Sequence, residues 1–305
     1  MEFRRLPKFK RAPAVAPMQL TERDRQIIRL VHRHRFLRSL QILALMGDRS
    51  QQLLRRLQLL YHHGFLERPR SQLDYYQYHA AGSRPIVYGL GNKGGALLRQ
   101  ELGVAFREVS WGEKNRAVRR MFLDHALLVS DVMVAIELAC RKIGVRLVTE
   151  QELALPGKCQ LFKWTVNINS SLKLGVVPDR VFALEFRDQA GNRERAFFFL
   201  EADRGTMPVR RRNLFQTSFY RKLLAYEATW SQSIHRTRFG FHRFRVLAVT
   251  TSAKRVESLF EACSQLQRGH GLFLFANQTV LKHPDILFTP IWQNGRGDES
   301  TSLLP

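Results

Sequence analysis

The sequence predicts an α+β protein in two parts: a small helical module with a strand hairpin, then an α/β domain whose mixed sheet is flanked by helices. Three observations predict it. Short apolar-periodic segments with tight turns fill the region from residue 19 to 64. Two strand-like pieces follow them, "GFLERPR" and "RPIVYGLG". From residue 114 one long helical period, with Val118, Met121, Phe122, Leu128, Val129, Val132 and Ile136 on its stripe, gives way to runs rich in β-branched and aromatic residues, in the order helix, several strands, helix, strand, helix, strand. A length of 305 residues suits two domains. The expected boundaries are a flexible basic arm at 1–18, the first module at 19–104, a linker at 105–116, the α/β domain at 117–290 and a disordered tail at 291–305.

The first module builds up from its caps. In "LTERDRQIIRLVHRHR", Thr21 caps a helix with Ile27, Leu30 and Val31 on its apolar stripe. "LRSLQILALMG" makes a second helix, closed by Gly47. Asp48 or Ser50 caps the third, "QQLLRRLQLLYHHG", which turns Leu53, Leu54, Leu57, Leu60 and Tyr61 inward. Three helices and a hairpin wing are the pattern of a winged helix-turn-helix. The loop of the wing carries Tyr75, Tyr76 and Tyr78, and a helix over "KGGALLRQEL" closes the module.

The charge balance points to a polyanion. There are 49 Lys and Arg against 26 Asp and Glu, a net +23. Residues 1–112 hold 20 of the basic and 8 of the acidic residues, an excess of +12, which leaves +11 for the rest. Both parts can therefore meet a phosphate backbone, and double-stranded DNA is the expected partner. On the third helix Arg49, Gln51, Gln52, Arg55 and Arg56 are the candidate contacts, since Arg pairs with guanine and Gln with adenine in the major groove. Arg68, Arg70 and Arg84 flank the wing. The bland alternative is a solvated polar face, or a winged helix used for protein contacts.

Other function classes fall away. Three cysteines, Cys140, Cys159 and Cys263, lie far apart without a Cys-x-x-Cys pair, against a zinc ribbon and in keeping with a reducing cytoplasm. No apolar run approaches membrane-spanning length, and the basic amino terminus lacks the apolar core of a signal peptide, so a soluble protein of the cytoplasm with no membrane role is expected. "GLGNKG" spells Gly-x-Gly-x-x-Gly at Gly89, Gly91 and Gly94 but closes the wing, so it reads as a glycine turn rather than a dinucleotide site. His125, on an apolar helix stripe, reads as a core histidine. His32 and His34 lie in a basic helix and are rejected as a metal pair.

The chemistry-bearing pattern lies further on. In "VVPDRVFALEF" and "RAFFFLEADR" the side chains alternate, so Asp179 shares a face with Val181, and Glu201 and Asp203 with Phe197 and Phe199. Pairing through "RDQAGNRE" sets Asp179 beside Glu201 at one sheet end. Close carboxylates repel unless a cation lies between them, and Mg²⁺, with Mn²⁺ as a substitute, suits such oxygen ligands. The alternative is that each acid pairs with an arginine such as Arg180, Arg204 or Arg210.

Pro178-Asp179 followed by Glu201-x-Asp203, after a long helix and before another, resembles the core of PD-(D/E)XK nucleases. The resemblance implies metal binding by Asp179 and Glu201, with Glu137 at the place where some members add a first-helix acid. The lysine of that pattern would fall at Asp203, so Lys222 on the next helix is the substitute, Asp203 a ligand or orienting acid. Arg204, Arg210, Arg211 and Arg212 would then hold the backbone. Taken together with "LTERDRQIIRLVHRHRFL", "VYGLGNKG", "DHALLVSDVMVAIE" and "RKLLAYEA", the chain over about 20–262 resembles the replication-relaxation proteins of plasmids and mobile elements. That resemblance implies DNA binding in replication or mobilisation, with Mg²⁺-dependent endonuclease or nickase chemistry as one outcome. A non-catalytic replication accessory factor or transcriptional regulator is a second, and an adaptor docking a replisome or transfer protein a third.

Overall fold

The computed structural model describes residues 8–13, 15, 17–73, 85–102, 110–154, 162–297 and 300–305. The mixed α+β class holds. The chain divides into two compact units, residues 1–130 and 131–305.

In the first unit, α1 (Glu22–His34) begins at Thr21, whose side chain and that of Asp24 close a reciprocal capping box. It buries Ile27, Ile28, Leu30 and Val31. The backbone then extends into β1 (Phe36–Arg38) before α2 (Ser39–Met46) and α3 (Gln51–His62). Gly47 ends α2 in the left-handed region at φ 64°, and Ser50 caps α3 by accepting from Leu53 N–H. β2 (Leu66–Glu67) and β3 (Val87–Leu90) complete an antiparallel sheet in the order β1-β3-β2, with Phe36 opposite Gly89 and Leu66 opposite Leu90. Among the sequence-based expectations β1 is new: its three residues sit between two helices without any alternation to betray them. Tyr75, Tyr76, Tyr78 and Arg84 lie outside the described residues.

The glycine run has a steric explanation. A Cβ at Gly89 would meet the Phe36 ring at 2.7 Å, and at Gly91 and Gly94 it would collide with the carbonyl oxygens of Gly64 and Phe65. These glycines let β3 and the start of α4 (Asn92–Leu102) lie against the neighbouring backbone.

The expected single helix from residue 114 onward is broken. Residues 111–116, within the expected linker, form α5 (Trp111–Arg116), and α6 starts afresh and runs Arg120–Ile143. The interruption shifts the helical phase. Leu123, Ala126 and Leu127 are buried in place of the expected Met121 and Phe122, which are 65% and 38% exposed. Downstream, Leu128, Val129, Val132 and Ile136 are buried as their spacing predicts.

The second unit is built on a seven-stranded sheet in the order β12-β11-β10-β9-β8-β7-β4. Its strands are β4 (Arg146–Val148), β7 (Arg180–Arg187), β8 (Arg193–Asp203), β9 (Arg245–Thr250), β10 (Phe273–Asn277), β11 (Trp292–Asn294) and β12 (Ser300–Thr301). β7 and β8 form the expected antiparallel hairpin, β8–β9 and β9–β10 are parallel, and the outer pairs are antiparallel. A separate hairpin, β5 (Trp164–Asn167) with β6 (Lys173–Val176), follows the short α7 (Glu150–Leu153). One face of the large sheet packs Val181, Phe199, Val246, Ala248 and Phe275 with Leu223 and Tyr226 of α8 (Phe219–Ser231) and Leu259 of α10 (Ala253–Cys263). The turn-like α9 (Ile234–Thr237) lies between them in sequence. Phe182 and Phe198 stack at 5.2 Å between ring centroids and are themselves buried, so the central strands are covered on both faces, as their unbroken apolar runs require.

Residues 291–305 are not a disordered tail. β11 and β12 add to the sheet edge, Leu303 and Leu304 are buried, and both donate backbone N–H bonds to Leu287 O at 3.0 Å. Two leucines behind ten polar or small residues offer too little pattern to read.

Candidate functional site: a neutralised acid–lysine centre and an exposed polar helix

The β7–β8 register, Arg180 opposite Leu200, brings Asp179 beside Glu201. Asp179 N–H donates to Leu200 O at 2.9 Å, and its Oδ2 accepts from Ala202 N–H at 2.8 Å. The carboxylate thus caps the end of the hairpin while facing the residue expected beside it.

Glu201 is almost fully buried, and α8 supplies its partners from one face. Lys222 Nζ donates to Oε2 at 2.5 Å, and the Tyr226 hydroxyl, one turn further on, donates to Oε1 at 2.6 Å. Spacing of four residues places both donors over one carboxylate. Burial pushes the Glu201 carboxyl above its usual range; the Lys222 charge pulls the other way, and the nearby Asp179 adds to the rise. Burial works to lower the Lys222 ammonium, but Glu201 first, then Asp179 and Asp203, outweigh it and hold it above its ordinary value. Burial and the Glu201 charge push the Tyr226 phenol well up, so it is a neutral donor. One lysine thus sits in the field of all three acids.

Asp203, two residues along the same face, turns to α10. Arg255 grips it through Nε at 2.6 Å and Nη2 at 3.2 Å, and Thr250 Oγ1 donates to it at 3.2 Å. Arg255 also reaches Met207 O at 2.6 Å, fastening the chain that leaves β8. The expected arginine pairing of this acid is therefore real, with a partner that the sequence did not single out.

Glu137 is buried on α6 and pairs with Arg141 on its own helix at 2.6 Å. Among the described residues no three His, Cys, Asp or Glu side chains form a group able to hold a metal ion. Both Glu201 oxygens and both Asp203 oxygens are engaged by cationic or hydroxyl donors, so a divalent cation at Glu201 would have to displace Lys222 or Tyr226. Cys140 and Cys263 are buried thiols pushed up to about 12 by burial, with Glu137 adding to the rise at Cys140, and neither can serve as a thiolate nucleophile at neutral pH.

In the first unit, Arg49, Gln51, Gln52 and Arg55 are exposed, at the start of α3 and along its outer face, and Arg70 is exposed beyond β2. Two of the expected contacts have other work. Arg56 makes a paired bond to the buried Asp24, 2.7 Å from Nε and 2.6 Å from Nη2, and so ties α3 to α1. Arg68 is buried: it stacks over Tyr61 at 4.2 Å and donates to the Tyr88 hydroxyl at 2.9 Å. Helical spacing alone does not separate an arginine facing water from one facing a buried acid a helix away. In the second unit Arg204 is half-buried and Arg210, Arg211 and Arg212 are exposed.

Tyr226, Thr250 and Arg255 were missed as site residues. Tyr226 had a signal, its offset of four from Lys222, hidden because it also fits the apolar stripe. Arg255 had none, since its approach depends on β9 lying parallel to β8.

These features define an α+β protein with a helix of exposed polar outer face in one unit and a buried, internally neutralised acid–lysine centre in the other. Residues 28–243 match the family described as replication-relaxation, and the chain belongs to that family, which associates it with replication. The match starts inside α1 and ends before β9, short of the expected 20–262 at both ends. No curated protein and no solved structure matches the chain. No helix among the described residues is long and apolar enough to cross a membrane.

Proposed function

We propose that this is a DNA-binding protein of a plasmid or other mobile element, acting in replication or mobilisation, whose first unit is a winged helix that grips duplex DNA through α3. The observation that carries the reading is the outer face of α3: Gln51, Gln52 and Arg55 are exposed together, on a helix locked to its unit by Ser50, by Arg56 and by its buried leucines. Long polar side chains on a rigid helix are what base-edge and phosphate contacts need. The net +23 supplies the attraction. The acid–lysine centre of the second unit then serves as a structural clasp between sheet and helix, and the chain acts as a replication accessory factor or regulator.

The test is a mobility-shift measurement on random duplex DNA with the full chain. The expected result is binding that weakens steeply with salt and drops about tenfold in Q52A/R55A, as one phosphate contact and one hydrogen-bonding side chain are lost. Binding that is absent or indifferent to salt overturns the reading and favours a protein-docking adaptor.

A second reading is favoured by the convergence of Asp179, Glu201 and Lys222 in the PD-(D/E)XK order. In it Asp179 and Glu201 would hold Mg²⁺ or Mn²⁺, which supplies Lewis-acid activation when bound, and Lys222 would stabilise developing charge. Nicking of supercoiled plasmid with Mg²⁺ or Mn²⁺, abolished in both D179A and E201A, would establish it. DNA binding that survives both changes without nicking leaves the accessory role.

A further inference from the structure

The segment joining β8 to α8 forms a closed loop with an unusual rim. Two backbone bonds, Phe219 N–H to Pro208 O at 3.0 Å and Tyr220 N–H to Val209 O at 2.9 Å, pinch its neck, leaving residues 210–218 as a compact Ω-loop. Val209 and Leu214 pack against the sheet core and anchor the loop from beneath. Phe215, next to Leu214, does the opposite: it is 68% exposed, the most exposed of the large apolar side chains described. Its backbone is fixed on both sides, the N–H donating to Asn213 Oδ1 at 2.8 Å and the carbonyl accepting from Arg221 at 2.9 Å. Arg210, Arg211 and Arg212 stand exposed in the same loop. Burying the phenylalanine is ordinarily favourable, and the loop instead holds it in water, in a segment that carries three exposed arginines, of which Arg210 lies over the Tyr220 ring at 5.2 Å.

We propose that this Ω-loop is a binding site for an unpaired DNA strand, with Phe215 as the platform on which one base stacks and Arg210, Arg211 and Arg212 as partners of the flanking phosphates. A flat aromatic face with exposed cations in the same loop matches a base and its backbone, and it does so without sequence preference. The phenylalanine run of β8 cannot play this part, since Phe198 and Phe199 are buried. Arg221, which holds the Phe215 carbonyl, precedes Lys222 in α8, so the loop is braced by the helix that carries the acid–lysine centre. A replication-associated protein meets separated strands as well as duplex. The inference rests on the DNA-binding reading above, and gives the second unit a ligand distinct from the duplex assigned to α3.

The experiment is fluorescence anisotropy with the full chain, on a labelled mixed-sequence single strand and on its blunt duplex. F215A, a surface change with little effect on folding, is expected to raise the single-strand Kd about tenfold, the worth of one stacked base, while the duplex Kd stays within about twofold. F215W, which keeps a stacking face, is expected to restore single-strand binding. R211A/R212A is expected to flatten the single-strand salt dependence by about 0.7 in slope for each phosphate that is no longer neutralised. The inference is overturned if F215A leaves single-strand binding unchanged, if it weakens both ligands equally, or if the chain binds the duplex alone. That last result leaves the α3 reading standing, whereas failure to bind either DNA ends both.

Discussion

At the scale of single residues, the acids decide the character of this protein by what neutralises them. Asp24 is wholly buried in the first unit, a costly place for a charge. Burial raises its pKa, but the Arg56 guanidinium and the Thr21 hydroxyl and N–H more than offset that, and the carboxyl ends below its ordinary value. The sign of the pH effect follows. A depressed pKa means that the fold prefers the ionised form, so its contribution is complete above the unfolded pKa and lost as pH falls through the folded one. D24N is expected to cost about 3 kcal/mol at neutral pH, the low end for breaking a buried pair, with the gap to the parent closing below about pH 4. Urea unfolding at neutral and acid pH checks it; an equal gap at both would mean that the charge of Asp24 adds nothing. The sequence offers Arg56 as a groove contact and does not single out Asp24. It did not show that the two meet, because nothing in either periodicity reports the crossing of α1 and α3.

At the scale of elements, α8 and β8 are coupled through one carboxylate, and the hairpin that presents it was legible from alternation alone. Strand-end acids after apolar runs identified Asp179, Glu201 and Asp203, and the stripe of α8 put Lys222 on the inward side. Where periods are short or broken, legibility fails: β1 has three residues, α6 restarts three residues after α5 ends, and β12 has two residues. The coupling can be measured. K222M removes the cation from buried Glu201 and is expected to destabilise by about 3 kcal/mol. E201Q/K222M removes the buried Glu201 charge together with its partner and is expected to recover most of that loss, so that a double-mutant cycle gives a large positive coupling. Y226F deletes one neutral donor and should cost about 1–2 kcal/mol. In K222M the raised Glu201 pKa rises further; since a raised pKa gives stability that is present at low pH and lost on going up through the folded pKa, the K222M deficit should shrink in acid. Additive costs in the cycle would show that the sheet and helix do not depend on this clasp.

At the scale of the whole molecule, the family match and the architecture divide the chain differently. The match to residue 243 takes in α3, the β7–β8 hairpin and Lys222, but leaves out β9 to β12 and Arg255. The clasp on Glu201 therefore lies inside the family region, and the grip on Asp203 depends on an element outside it. Charge is shared along the chain, at +12 through residue 112 and +11 from residue 113 on. If one unit alone met DNA, half of that excess would serve no electrostatic purpose beyond solubility. Salt dependence separates these cases, because each neutralised phosphate on duplex contributes about −0.9 to the slope of log Kobs against log salt concentration. R55A is expected to reduce the magnitude of the duplex slope by about 0.9, one phosphate, and R211A/R212A to leave the duplex slope unchanged while flattening that for a single strand. A duplex slope that falls by the same amount in both variants would instead assign the α3 face and the Arg211–Arg212 loop to one duplex ligand, and with it remove the division of labour between a duplex-reading first unit and a strand-holding second.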